Sequence, residues 1–100
     1  MSVIHGEMQP WALTIDKFLE HGAKWHPGVE VVTALEGGNT ARVDYAELQR
    51  RSRKVSELLA GLGVGPGDVV ATLAWNTQAH MEAWYAVMGM GAVCQTLNPR

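Results

Sequence analysis

GLGVGPGD, residues 61–68, gathers four of the chain's eleven glycines, and its reading decides how the rest is understood. Either these glycines cradle a phosphate, or they only turn the backbone between two pieces of framework. Spacing argues for the turn: counted from Gly61 or Gly63, the third glycine of a G-x-G-x-x-G fingerprint falls on Pro66 or Asp68. A Walker-type loop needs Gly-Lys-Ser/Thr, and no lysine follows Lys54. Polarity argues the same way. Phosphate loops join a strand to a helix N-terminus, where unpaired N–H groups and the positive end of the dipole face the anion. Here the glycines follow a helical pattern and precede an apolar run, so the nearest dipole end is negative, and Asp68 adds further negative charge. Gly63 reads as the left-handed residue that closes a helix, and Pro66-Gly67 as a type II turn.

Upstream of the turn, Tyr45, Leu48, Val55, Leu58, Leu59 and Leu62 form an apolar stripe for a helix running to about residue 62. Asp44 and Glu47 supply its start as a capping-box variant. Downstream, VVATLAW (69–75) is a continuous apolar run, the pattern of a strand covered on both faces. Asn76-Thr77 is cap chemistry for a helix from Gln78 to about Met88, with Met81, Trp84, Val87 and Met88 on one side. GMG (89–91) breaks it, and AVCQTL (92–97) reads as a second buried strand. Strand, helix and strand in about thirty residues make a parallel βαβ unit with a right-handed crossover.

Nearer the N-terminus, VEVVTAL (29–35), EGGNT (36–40) and ARVD (41–44) predict a β-hairpin turned by Gly37-Gly38. A further helix starts near Thr14 as N-cap, with Ile15, Phe18, Leu19 and Gly22 on one face and a Glu20–Lys24 pair on the other. HPG (26–28) stops it. Residues 1–13 show no period and read as an extended arm anchored by Trp11 and Leu13. The fold class is therefore α/β.

Bulk composition narrows the options. One hundred residues with 47% apolar and 18% charged side chains make one small domain or a piece of a larger one. A net charge of −2 gives no bias toward nucleic acid. No apolar run reaches membrane-spanning length, and MSVIHGEMQPW lacks the basic flank and apolar core of a secretory signal. The single cysteine, Cys94, excludes an internal disulfide, suits a reducing cytoplasm and reads as a buried structural thiol. Four tryptophans fit core or domain-interface packing, with a ligand pocket as the alternative.

Candidate chemistry is sparse. Arg50, Arg51, Arg53 and Lys54 spread round the polar side of a helix, where Glu47–Arg51 and Arg53–Glu57 pairs make a solvated face. His5, His21, His26 and His80 lack the spacing and companions of a metal site. No catalytic triad or carboxylate pair stands out, so the residues assign no catalytic, cofactor-binding or metal-ligating role. Trp75, Asn76 and His80 are the candidate substrate-proximal residues, because they sit at the C-terminal end of an apolar strand, the edge where open α/β sheets bind ligands. For His80 and Asn76, capping and local hydrogen bonds are the alternative.

Three stretches carry a family resemblance. VDYAEL (43–48) is similar to the L-[ST]-Y-x-E-L element of adenylate-forming enzymes, with Val43-Asp44 in place of Leu-Thr. LGVGPGDVVATLAWN (62–76) resembles their G-V-x-x-G-D-x-V-A helix-turn-strand. MGMGAVCQTLNPR (88–100) resembles the L-K-A-G-A segment that runs into a buried strand and an Asn-Pro turn, with Gly89-Met90 in place of Lys-Ala. HMEAWYAVMGMGAV (80–93) narrows the resemblance to the fatty-acyl-CoA ligase branch. It spans residues 14–100 with the order of the elements intact.

The resemblance implies the N-terminal portion of an AMP-binding domain, cut before the phosphate loop. It also implies an ATP-dependent acid–thiol ligase that uses Mg²⁺ and coenzyme A to activate a medium- or long-chain fatty acid, with a short thioether or aryl acid as the second choice. The Ser/Thr/Gly-rich phosphate loop, the adenylate-binding segments and the catalytic lysine of that family have no counterpart in these residues. The 100-residue chain alone is therefore expected to be inactive. A homodimer through residues 1–20 is the expected assembly. The competing reading is a stand-alone, non-catalytic α/β module for a partner or small ligand.

Overall fold

In the computed structural model, which describes Pro10 and residues 12–98, α1 spans Asp16–Trp25. Ile15 already has helical angles, and the Thr14 hydroxyl donates to the Asp16 carboxylate instead of accepting from the backbone, so the expected Thr14 cap is not formed. Leu19 and Gly22 are buried as expected, but Ile15 and Phe18 are exposed, because only a narrow stripe of α1 meets the rest of the chain. The expected Glu20–Lys24 pair is replaced by Lys17–Glu20 at 3.3 Å, and Lys24 lies over the Trp25 ring. The arm predicted over residues 1–13 lies mostly outside the described residues; Leu13, which is described, is exposed.

The hairpin forms as its pattern predicts. β1 (Glu30–Ala34) pairs antiparallel with β2 (Thr40–Asp44), with Val31 opposite Val43, and a short 3₁₀ turn at Glu36–Gly38 joins them. Gly37 and Gly38 have φ of 71° and 77°, which side chains disfavour. Asp44 ends β2 and caps α2 (Tyr45–Gly61), its Oδ1 accepting from Glu47 N at 2.8 Å. The N–H groups of Tyr45 and Ala46 donate to the carbonyls of Val29 and Pro27, so the first turn of α2 is satisfied by the loop beside it. The Glu47 carboxylate turns to Arg50, not to Arg51, and this bond holds its pKa below the ordinary carboxylate value.

The glycine cluster is a turn. Gly63, with φ of 95°, donates to the Ala60 carbonyl, and Val64 N donates to Leu59 O, which is the Schellman closure of α2. Asp68 N returns to Gly65 O around Pro66-Gly67, and the Asp68 carboxylate takes the Gly65 N–H. Gly67 N donates to Gly91 O across to the next connection. The N–H groups of residues 63, 64, 65, 67 and 68 are all spent inside the chain, so the segment has no cradle to offer a phosphate.

β3 (Val69–Thr72) and β4 (Val93–Thr96) pair in parallel on either side of α3 (Gln78–Gly89), completing the βαβ unit. The expectation that both strands are covered on two faces is corrected. Val70, Thr72 and Cys94 are half-buried on one face, whereas Val69, Leu73, Val93 and Leu97 are exposed. A two-stranded sheet backed by one helix has only one well-covered side. Cys94 is accordingly a half-buried thiol, not a fully buried one. Leu58 and Leu62 of the α2 stripe, Trp25 and Trp75 are exposed as well.

The core lies where the three helices meet the hairpin. Leu19, Val43 and Leu48 form its centre, with Val31, Met81 and Tyr85 packed against it; Ala86, Val87 and Ala92 are buried nearer the βαβ unit. The αβ arrangement is thus two small sheets held together by helices. Gly22 belongs to this packing: a Cβ there would stand 3.0 Å from Cδ2 of Tyr45.

Candidate functional site

Residues 73–77 link the C-terminal end of β3 to α3 and carry Trp75 and Asn76, both exposed. The Trp75 side chain is 65% exposed, presenting most of an indole plane beside a primary amide. Such a pair can stack or pack against an apolar or aromatic group and hydrogen-bond a polar one. It offers no general acid or base, no nucleophile and no cation.

The base of this loop is held from three sides. Thr77 caps α3, its Oγ1 accepting from His80 N at 3.4 Å. Gln78 N donates to Thr33 Oγ1 on β1 at 3.1 Å, which ties the first turn of α3 to the hairpin. His80 Nε2 meets Thr72 Oγ1 at 2.8 Å, closing the loop onto the last residue of β3. Behind these bonds, Glu82 accepts from Arg51 Nε on α2 at 2.6 Å and from Gln78 Nε2 at 3.4 Å.

The three candidates are therefore treated differently by the fold. Trp75 and Asn76 share the exposed loop. His80 does not join them: it is 5% exposed, and its ring lies 4.9 Å from that of Trp84. His80 Nδ1 and Trp84 Nε1 are both buried without a hydrogen-bond partner among the described residues. The sequence singles out neither Thr33 nor Glu82, and it places Arg51 only on a solvated helix face. Glu82 did leave a trace there, as the one charged side chain in the otherwise uncharged run from Gln78 to Gly89. Thr33 left none, since its partner is forty-five residues away. The expected Arg51 partner, Glu47, is wrong because Glu47 is taken by Arg50 and Arg51 turns inward to Glu82; no ion pair joins Arg53 and Glu57 among the described residues.

A cavity of about 320 Å³ is lined by residues of α1, α2 and α3, among them Asp16, Arg53, Ser56, Glu57 and Tyr85. Burial, reinforced by the neighbouring Tyr45, raises the Tyr85 pKa above its ordinary value. No cluster of three His, Cys, Asp or Glu side chains suited to a metal occurs among the described residues. No helix among them is long and apolar enough to cross a membrane.

The family profile described as AMP-binding enzyme matches residues 19–100, from the middle of α1 through both sheets. The chain belongs to the AMP-binding enzyme family. Among the relatives of this AMP-binding chain, a long-chain-fatty-acid–CoA ligase of Thermus thermophilus is 44% identical over 100% of the chain and 18% of its own length. A medium-chain-fatty-acid–CoA ligase of Ectopseudomonas oleovorans is 41% identical over 95% of the chain and 17% of its own length. A 3-methylmercaptopropionyl-CoA ligase of Ruegeria lacuscaerulensis is 37% identical over 95% of the chain. Of solved structures, a fatty acyl CoA synthetase of Mycobacterium tuberculosis superposes with a TM-score of 0.76 at 26% identity, over 87% of this chain and 17% of that one. Acetoacetyl-CoA synthetase of Streptomyces lividans gives 0.79 at 27% identity, over 87% and 14%. The chain spans less than a fifth of the length of these fatty-acid–CoA ligases and synthetases.

Proposed function

We propose that this chain is the N-terminal segment of an ATP-dependent fatty-acid–CoA ligase, with residues 1–13 as an arm and 14–100 as the first part of the AMP-binding domain. The observation that carries the reading is a match over 95–100% of the chain to fatty-acid–CoA ligases at 41–44% identity. In the whole enzyme a fatty-acid carboxylate attacks the α-phosphorus of ATP, releasing pyrophosphate and forming an acyl-adenylate. The coenzyme A thiolate then displaces AMP to give the thioester.

The residues described here do not fit ATP or Mg²⁺. The glycine turn spends its N–H groups internally, and among the described residues no acidic or histidine cluster is suited to hold a cation. Their contribution is framework: a βαβ unit whose loop 73–77 presents Trp75 and Asn76 to the acyl substrate, with His80 behind them. A medium- or long-chain fatty acid is the substrate class of this reading, in line with the names of the medium-chain and long-chain fatty-acid–CoA ligases that the chain resembles. The proposed enzyme is cytoplasmic and pairs through residues 1–20, of which Leu13, Ile15 and Phe18 are exposed.

The test is an assay of pyrophosphate release with ATP, Mg²⁺, coenzyme A and a series of fatty acids. It compares the 100-residue chain with a protein extended along the reading frame past Arg100. Activity in the extended protein and none in the chain supports the reading. An extended frame with no Pro-Lys-Gly phosphate loop, together with cooperative folding of the 100-mer, favours the stand-alone module instead.

A further inference from the structure

We infer that His80 is a positioning residue: its hydrogen bond to Thr72 latches loop 73–77 and fixes the orientation of Trp75 and Asn76. The inference rests on the reading of those two residues as substrate-proximal, but the latch itself stands on separate observations.

The first is topological. Thr72 is the last residue of β3 and His80 lies in the first turn of α3, so one bond of 2.8 Å closes the whole connection across its base. The Thr77 cap and the Gln78–Thr33 bond hold the start of the helix, but neither reaches β3. Among the side-chain bonds of the described residues, the His80–Thr72 bond is the one that ties α3 to the end of the strand.

The second is energetic. His80 is 95% buried by complement of its 5% exposure, and its Nδ1 has no hydrogen-bond partner among the described residues. Burying an imidazole nitrogen unpaired is costly, and a leucine or phenylalanine could fill the space between β3 and Trp84 without that penalty. What an apolar side chain cannot supply is the Nε2 bond to Thr72. The position gives up stability and gains loop geometry, a trade expected where a short loop must present side chains in one orientation.

The third is packing. The Trp84 ring packs against the imidazole, with centroids 4.9 Å apart and the planes tilted by 56°. Trp84 is one helical turn beyond His80 on α3, so the latch is braced by the same helix that carries it.

The experiment uses the full-length ligase that carries this segment. Thr72→Val removes the partner hydroxyl with little change of shape, His80→Gln keeps a polar head, and His80→Leu keeps only bulk. The expected result for Thr72→Val and His80→Leu is a rise of about tenfold in KM for the fatty acid, with KM for ATP unchanged. The double variant should be no worse than either single one. His80→Gln should recover part of the loss. Amide hydrogen exchange at residues 73–77 should quicken in Thr72→Val while exchange in α2 stays as in the parent. The inference is overturned if exchange at 73–77 is unaltered. It is also overturned if both KM values rise together with a general loss of thermal stability, the outcome of a purely structural role. Trp75→Ala and Asn76→Ala separate the two readings. If they leave KM for the acid unchanged, the substrate-proximal reading fails, and the exchange measurement still decides the latch.

Discussion

Arg51 Nε donates to Glu82 Oε1 at 2.6 Å, joining two helices at residues thirty-one apart in the chain. The pair is lopsided: the Glu82 side chain is 7% exposed and that of Arg51 49%. Removing the arginine therefore strands a buried carboxylate whose remaining bond, from Gln78, is long. Arg51→Leu is expected to cost about 2 kcal/mol, less than for a fully enclosed pair because water screens the guanidinium. Adding Glu82→Gln should recover about 1 kcal/mol by discharging the buried group. Arg50→Leu, which breaks only an exposed pair with Glu47, should cost under about 1 kcal/mol. Urea unfolding of the four proteins measures this, and equal losses for Arg50→Leu and Arg51→Leu would remove the clamp.

Asp44 has two jobs, as the end of β2 and as the cap of α2. Asp44→Ala should lower stability by about 1 kcal/mol through loss of the bond to Glu47 N. Asp44→Asn should lose much less. A similar loss in both would assign the effect to something other than capping.

The glycine turn separates two neighbours cleanly. At Gly63, φ of 95° makes alanine unfavourable by about 1–2 kcal/mol even though a Cβ would meet nothing within 4 Å. Gly61 is helical and also open, so Gly61→Ala should stabilise by about 0.4–1 kcal/mol. Opposite signs in thermal unfolding are the expected result.

Burial holds the Tyr85 phenol neutral, raising its pKa above the ordinary 10.0. The unfolded chain ionises near that ordinary value while the folded chain still binds the proton. This contribution is therefore complete below about pH 10 and is lost as pH rises through the folded value. Tyr85→Phe should flatten the alkaline fall in stability between pH 9 and pH 11 (about one unit either side of the ordinary value). Parallel curves for the two proteins would contradict it.

The exposed sheet face gives a prediction that depends on chain length. In the 100-residue chain, Leu73 is 66% exposed, so Leu73→Lys should change stability by less than about 0.5 kcal/mol and reduce self-association. In the proposed full-length ligase the same change is expected to be strongly destabilising, because a further layer would cover the apolar face that carries Leu73. Equal tolerance in both would mean that the face is never covered.

What the sequence determined by itself was local. The Gly37-Gly38 hairpin, the Asp44 cap, the Schellman turn at Gly63 and the type II turn at Pro66-Gly67 all depend on residues within a few positions of one another. Backbone angles and short-range hydrogen bonds suffice to specify them. The parallel pairing of β3 with β4 was legible for the same reason, since a helix of this length between two apolar runs leaves few alternatives. Tertiary structure decided everything that depends on which surfaces meet. It turned Arg51 from Glu47 to Glu82, exposed Phe18 and Leu73 despite their apolar pattern, and buried His80 while leaving Trp75 and Asn76 in the open. Periodicity records that a side chain is apolar or charged, not which element will lie against it, and partners thirty or forty-five residues away leave no local trace.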